Sequence, residues 1–145
     1  MRVLGIDYGD RRIGLALSDP LRMTAQMLGQ YERQTPEKDR EFFRELIRQH
    51  QISEIVIGLP LRMNGTEGTR VEKTKDFGDW LQETVNINIQ YWDERLTTIQ
   101  AMSILNEQNF KMKKKKKFKD QVSASLILSS YLENHKKNSD DFQNT

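Results

Sequence analysis

The sequence predicts an α/β domain, and three observations carry that prediction. Two short apolar runs rich in Val, Ile and Leu, 3–6 and 13–17, flank a polar segment containing Gly, the pattern of a β-hairpin. Beyond it, apolar runs with polar flanks alternate with stretches whose apolar residues recur at helical spacing. That strand–helix–strand–helix–strand order requires parallel neighbours joined by helical crossovers. The chain has 145 residues, 36% of them hydrophobic and 30% charged, enough to bury one core in a globular domain.

In the hairpin, Gly9 is suited to supply the positive φ of a tight reversal. Asp7 closes the first apolar run, where a carboxylate loses hydration and needs a cation or a donor. Turn former and metal or phosphate ligand are both open for it at this point. Arg11 and Arg12 follow in the same turn. Residues 25–31 read as a third strand. Thr35 as N-cap, Pro36 at the first position and acids in the first turn then start a helix that runs to about residue 50, with Phe42, Phe43, Leu46 and Ile47 on its core face.

Residues 52–57 read as a buried central strand, ended by Gly58-Leu59-Pro60. A polar loop with Arg62 and Asn64 follows. Val71, Phe77, Trp80 and Leu81 then mark a surface helix from about 67 to 84. Residues 86–92 form another strand that ends in Asp93-Glu94-Arg95, which could equally cap a helix running to about 108. The last helix spans about 119–133, with Asp120, Ala124, Ile127 and Tyr131 on one face. Asp120 there has a plain reading too, a favourable charge at a helix N-terminus. The domain covers 1–137, and the polar residues 138–145 read as a disordered tail.

Composition removes several chemistries. The chain has no Cys, which excludes disulfides, a thiolate nucleophile and Cys-ligated zinc. Its two His, His50 and His135, lack metal-motif spacing. No apolar run approaches the roughly 18 residues of a membrane span, and no signal peptide is visible, so the expected address is the cytoplasm, without membrane contact. Charge is unevenly spread: residues 1–110 carry 14 basic and 17 acidic residues, net −3, whereas 111–145 carry 9 and 4, net +5. The excess lies in a block containing Lys113, Lys114, Lys115, Lys116 and Lys117. Such a block repels itself, should be a loop, and should attract a polyanion, although a merely solvated loop would look the same.

In α/β sheets, sites gather at the carboxyl ends of strands. Carboxylates there from separated segments repel and need cations between them at neutral pH. Hard oxygen ligands without His or Cys favour Mg²⁺ or Mn²⁺. Two such ions about 3.5–4 Å apart can activate water and stabilise a leaving oxygen in phosphodiester cleavage.

Gly5-Ile6-Asp7-Tyr8-Gly9 with Arg12-Ile13-Gly14, then Gly58-Leu59-Pro60, Asn64-Gly65, Asp93-Glu94-Arg95-Leu96-Thr97-Thr98 and the Asp120-x-x-Ser-Ala-x-x-Ile-Leu-x-x-Tyr-Leu segment resemble the YqgF family. These are small bacterial proteins similar to Holliday junction resolvases and also described as nucleases that mature the 5′ end of pre-16S ribosomal RNA. The resemblance runs from residue 2 to about 133. It implies an RNase H-like fold, a five-stranded mixed sheet with helices on both faces. It also implies Asp7, Glu94 and Asp120 as the catalytic and metal-binding acids. Strand alternation alone does not choose between Asp93 and Glu94. Arg11, Arg12, Arg62, Asn64 and Lys113–Lys117 are the expected nucleic-acid contacts, to structured RNA or branched DNA, in a monomer or homodimer. Two rivals are an actin-like phosphotransferase, which needs a second lobe, and a non-catalytic RNA- or ribosome-binding protein that keeps the fold.

Overall fold

Short runs of Val, Ile and Leu make a sheet because branched side chains pack well on a pleated surface. The computed structural model describes residues 1–61, 68–97 and 119–143. Strands β1 (Arg2–Asp7), β2 (Arg12–Ser18), β3 (Ala25–Glu32), β4 (Ile52–Leu59) and β5 (Ile89–Asp93) form one sheet in the order β3-β2-β1-β4-β5. β2 pairs antiparallel with both β1 and β3, whereas β4 pairs in parallel with both β1 and β5. The sheet is therefore mixed, with the expected hairpin on one side and the crossovers on the other.

Alternation along β1 sorts its side chains into two layers. Leu4 and Ile6 join Ile13, Leu15, Ile55 and Ile57 beneath helices α1 (Pro36–His50) and α2 (Thr69–Val85), which contribute Phe43, Leu46, Phe77 and Leu81. Val3 joins Ala16 and Val56 beneath the last helix, α3 (Lys119–Gln143), through Ala124, Ile127, Leu128 and Tyr131. Gly5 permits that close approach, since a Cβ there would stand 2.7 Å from Leu128 Cβ and 3.1 Å from the Ala124 carbonyl. Further along α3, the Tyr131 hydroxyl donates to Glu54, the register partner of Val3. α3 thus runs antiparallel to β1, and its first turn, with Asp120, lies toward the end of β1 that carries Asp7.

Local chemistry explains most boundaries. Thr35 Oγ1 accepts from the Lys38 N–H at 3.2 Å and Pro36 opens α1, as expected. β4 does not stop at residue 57: Gly58 pairs with Trp92 and Leu59 with Asp93, because the edge strand β5 offers a ladder that far. β5 starts at Ile89 rather than 86, since Asn86 takes the left-handed conformation (φ 55°, ψ 43°) and caps α2 through its N–H to the Gln82 carbonyl. α3 keeps a helical backbone to Gln143 instead of ending near 133. No Gly or Pro interrupts that polar stretch, and its residues tolerate a helix. Gly9 is not in the left-handed region, and Gly29 is the positive-φ glycine among the described residues. Gly9 is required instead because a Cβ would overlap the Arg12 carbonyl oxygen. The helix expected to 108, the loop residues Arg62 and Asn64, and Lys113–Lys117 lie outside the described residues. Among the described residues, no helix is long and apolar enough to cross a membrane.

Candidate active site

β1, β4 and β5 are parallel neighbours, so their carboxyl ends come together at one edge of the sheet. Asp7 is the last residue of β1 and is half-buried. Glu94 follows β5 directly and opens a 3-10 turn, Glu94–Thr97. Asp7 shares its side of β1 with Val3 and Gly5, the side covered by α3. Glu94 reaches the same side: its Oε1 and Cγ lie 2.8 and 2.9 Å from where a Gly58 Cβ would stand, next to Ile127 of α3. There the Glu94 carboxyl hydrogen-bonds Asp7. Burial raises the pKa of Glu94 above its ordinary value; the bond to Asp7 and the nearby Arg70 charge pull it down, and Asp93 pushes it up.

Asp93 has another occupation. Tyr91 packs into the layer under α1 and α2, and alternation directs Asp93 to that side of β5. Its Oδ1 accepts from the Arg95 backbone N–H at 2.9 Å, and its Oδ2 accepts from Arg95 Nη2 at 2.6 Å. The Arg95 hydrogen bonds hold its pKa below the usual carboxylate range. The two acids thus have different partners: Glu94 meets Asp7, and Asp93 is engaged by Arg95.

Asp120 occupies the first turn of α3, one turn before Ala124 in the direction of Asp7. The Asp120 side chain lies outside the described residues, and among those described no three His, Cys, Asp or Glu side chains cluster closely enough to hold a metal. The Asp7–Glu94 pair nevertheless fits a hard divalent cation by its donor chemistry. Both offer carboxylate oxygens, and a cation between them would offset the charge that burial makes costly.

Arg11, on the turn that follows Asp7, and Arg12, at the start of β2, are exposed. Sequence reading missed Arg70 and Lys73. One helical turn apart in the N-terminal part of α2, they line a small cleft with Tyr8, Gly9 and Asp10, and Lys73 Nζ lies 3.9 Å from Asp10 Oδ1. Their sequence signal was a basic pair at i and i+3, which any surface helix can carry. Only the docking of α2 beside the end of β1 gives the pair a position.

Comparison with known proteins decides the family. Residues 1–134 match the model of a family described as RuvX: Holliday junction resolvase. The chain belongs to that family. A relative from Halothermothrix orenii, named "Putative pre-16S rRNA nuclease", is 48% identical over 132 residues, covering 91% of this chain and 94% of the relative. One of the same name from Clostridium botulinum is 44% identical over 133 residues, 92% of this chain and 97% of the relative. Among solved structures, Thermus thermophilus RuvC is similar with a TM-score of 0.56 at 11% identity, covering 93% of this chain and 97% of that one. The fowlpox virus resolvase in complex with Holliday junction DNA gives a TM-score of 0.57 at 11% identity, covering 92% and 98%. These neighbours establish the fold of this RuvX-family chain as RNase H-like.

Proposed function

We propose that this chain is a metal-dependent nuclease that hydrolyses phosphodiester bonds and matures the 5′ end of pre-16S ribosomal RNA. The observation that carries the reading is the Asp7–Glu94 carboxyl pair, which meets across the end of β4, in a chain whose relatives bear nuclease names. Asp7, Glu94 and Asp120 are the residues that would hold Mg²⁺ or Mn²⁺. When bound, two such ions supply an activated water and a counter-charge for the leaving oxygen.

The remaining work falls to side chains of the chain itself. Partial burial of Glu94 lowers the local dielectric, so its charge interacts more strongly with whatever neutralises it. Arg95 holds Asp93 and keeps a further negative charge off the substrate's path. Arg70 and Lys73 beside the acids, Arg11 on the turn, Arg12 at the start of β2, and Arg62, Asn64 and Lys113–Lys117 by sequence would bind the phosphate backbone. Contacts of this kind position a strand without reading its sequence. The absence of Cys suits a reducing compartment, and the cytoplasm is the address that goes with a ribosomal RNA substrate.

The family description favours a second reading, resolution of branched DNA. Asp7→Asn tests both. The purified wild type and variant are compared on a ribosomal RNA precursor and on a four-way DNA junction, each with Mg²⁺ or Mn²⁺. Asn keeps the shape and the turn-forming capacity but removes a negative ligand. Cleavage should be abolished while the fold survives. Full activity in the variant refutes the metal reading, and the substrate that wild type cuts decides between RNA and DNA. Binding to both substrates without cleavage of either by wild type moves the assignment to a non-catalytic RNA-binding protein.

A further inference from the structure

A pocket of about 420 Å³ opens beside the turn that follows Asp7, on the α1/α2 side of the sheet. Its walls include Tyr8, Arg33, Lys73, Phe77 and Trp80. The aromatic rings form a continuous stack with Phe77 buried at its centre: Tyr8 stacks on Phe77 with centroids 4.7 Å apart, and Phe77 meets Trp80 at 5.8 Å. The Arg33 guanidinium lies 5.4 Å from the Tyr8 centroid and donates to the Tyr8 hydroxyl at 2.8 Å, so it is held beside the rings. Trp80 is half-buried and keeps part of its ring at the surface.

The charges around this pocket select an occupant. Asp10, Asp39 and Asp76 line it against Arg33 and Lys73, three acids to two bases, a formal −1. Asp39 is buried and already accepts from the Tyr31 hydroxyl at 2.7 Å and from the Gln34 N–H at 2.9 Å, and Asp10 faces Lys73. Exposed Asp76 can accept from an N–H group. A phosphate would be repelled here. A neutral, planar group with N–H donors would not, and aromatic and guanidinium planes are the surfaces on which unstacked bases rest. Lys73 lines both this pocket and the Arg70 cleft beside the acids, which links a site for a base to a site for its phosphate.

We propose that this pocket is a subsite for one unstacked nucleobase of the substrate strand, next to the nucleotide whose phosphate reaches Asp7 and Glu94. The inference rests on the nuclease reading and adds to it a requirement for a locally single-stranded substrate. It follows that fully paired duplex is bound less well than a strand free to turn one base outward.

The test walks one abasic residue along a single-stranded oligoribonucleotide and measures binding to the full chain by anisotropy, in Ca²⁺ to suppress cleavage. For wild type, one position should weaken binding about five- to a hundredfold, the range of base–aromatic stacking. Trp80→Leu should lose that dependence, and Trp80→Phe, which keeps a ring, should retain most of it. As a check that survives poor folding of either variant, Trp92→Phe leaves Trp80 as the sole tryptophan, because the chain has two. The intact oligoribonucleotide should quench its fluorescence more than the abasic one. Tight binding that ignores every abasic position overturns the subsite and leaves the nuclease reading standing. If no strand is bound or cut with Mn²⁺, the reading and the subsite fall together.

Discussion

The Glu94 carboxylate fills the space that a side chain on Gly58 would need: its Oε1 lies 2.8 Å from the position of the missing Cβ. β4 stands between β1 and β5 in the sheet, so a carboxyl from the end of β5 must cross β4 to reach Asp7. Gly58 is the residue of β4 that it crosses. Meeting of the two acids therefore depends on a strand residue that contributes no functional group at all.

Gly58→Ala should consequently act as an active-site mutation. The added methyl would also press on Ile127 Cδ1, 2.5 Å away. Overpacking of this kind costs about 1–3 kcal/mol, and displacing Glu94 by a fraction of an ångström to an ångström costs roughly ten- to a hundredfold in rate. Urea unfolding and single-turnover cleavage read the two effects separately. Adding Ile127→Val removes the clashing methyl and should restore part of the stability while the rate stays low. Recovery of both together would mean that the damage came from the core and not from Glu94.

Asp93 and Glu94 should respond very differently to loss of charge. Asn at 93 can still accept from the Arg95 N–H, and the Arg95 pair is partly exposed, so Asp93→Asn should cost less than about 1 kcal/mol and leave cleavage within severalfold. Glu94→Gln should lower cleavage at least about a hundredfold, because it removes one charge of the Asp7–Glu94 pair. Rates for the two variants on one RNA substrate settle the matter. Equal losses would contradict the division of labour between these adjacent acids.

Much of this arrangement was legible in the residues. Periodicity gave the hairpin, α1 from its Thr35 cap and Pro36, and the crossover order that brings strand ends together. The boundaries that moved did so for tertiary or local reasons: β4 runs past Gly58 because β5 offers it partners, and Asn86 belongs to the end of α2 because it takes a left-handed cap. Sequence alternation placed Asp93 and Glu94 on opposite sides without saying which side α3 would cover. That depends on the packing of Gly5 against Ala124 and Leu128, a contact between distant segments. Arg70, Lys73 and the aromatic pocket were hidden for the same reason, since Trp80 and Phe77 are spaced as ordinary core residues of a surface helix.

The acid pair makes a specific prediction about pH. Burial raises the Glu94 pKa in the folded chain above its ordinary 4.5, so the folded protein retains a proton that the unfolded chain gives up. Its contribution to stability is complete below pH 4.5 and is lost as pH rises through the raised value. In EDTA, the melting temperature of wild type should therefore fall across that window relative to Glu94→Gln, which has no proton to lose there, and the variant should be the more stable of the two at neutral pH. Asp93 shifts the other way through Arg95, but it is present in both proteins and drops out of the difference. Mn²⁺ should invert the comparison: the metal needs the deprotonated pair, so it stabilises wild type increasingly as pH rises and the variant much less. Thermal melts of both proteins from about pH 4 to about pH 8, with EDTA and with Mn²⁺, measure all four curves. Parallel EDTA curves would show that Glu94 titrates as an ordinary surface acid, and the meeting with Asp7 would then carry no strain for a cation to relieve.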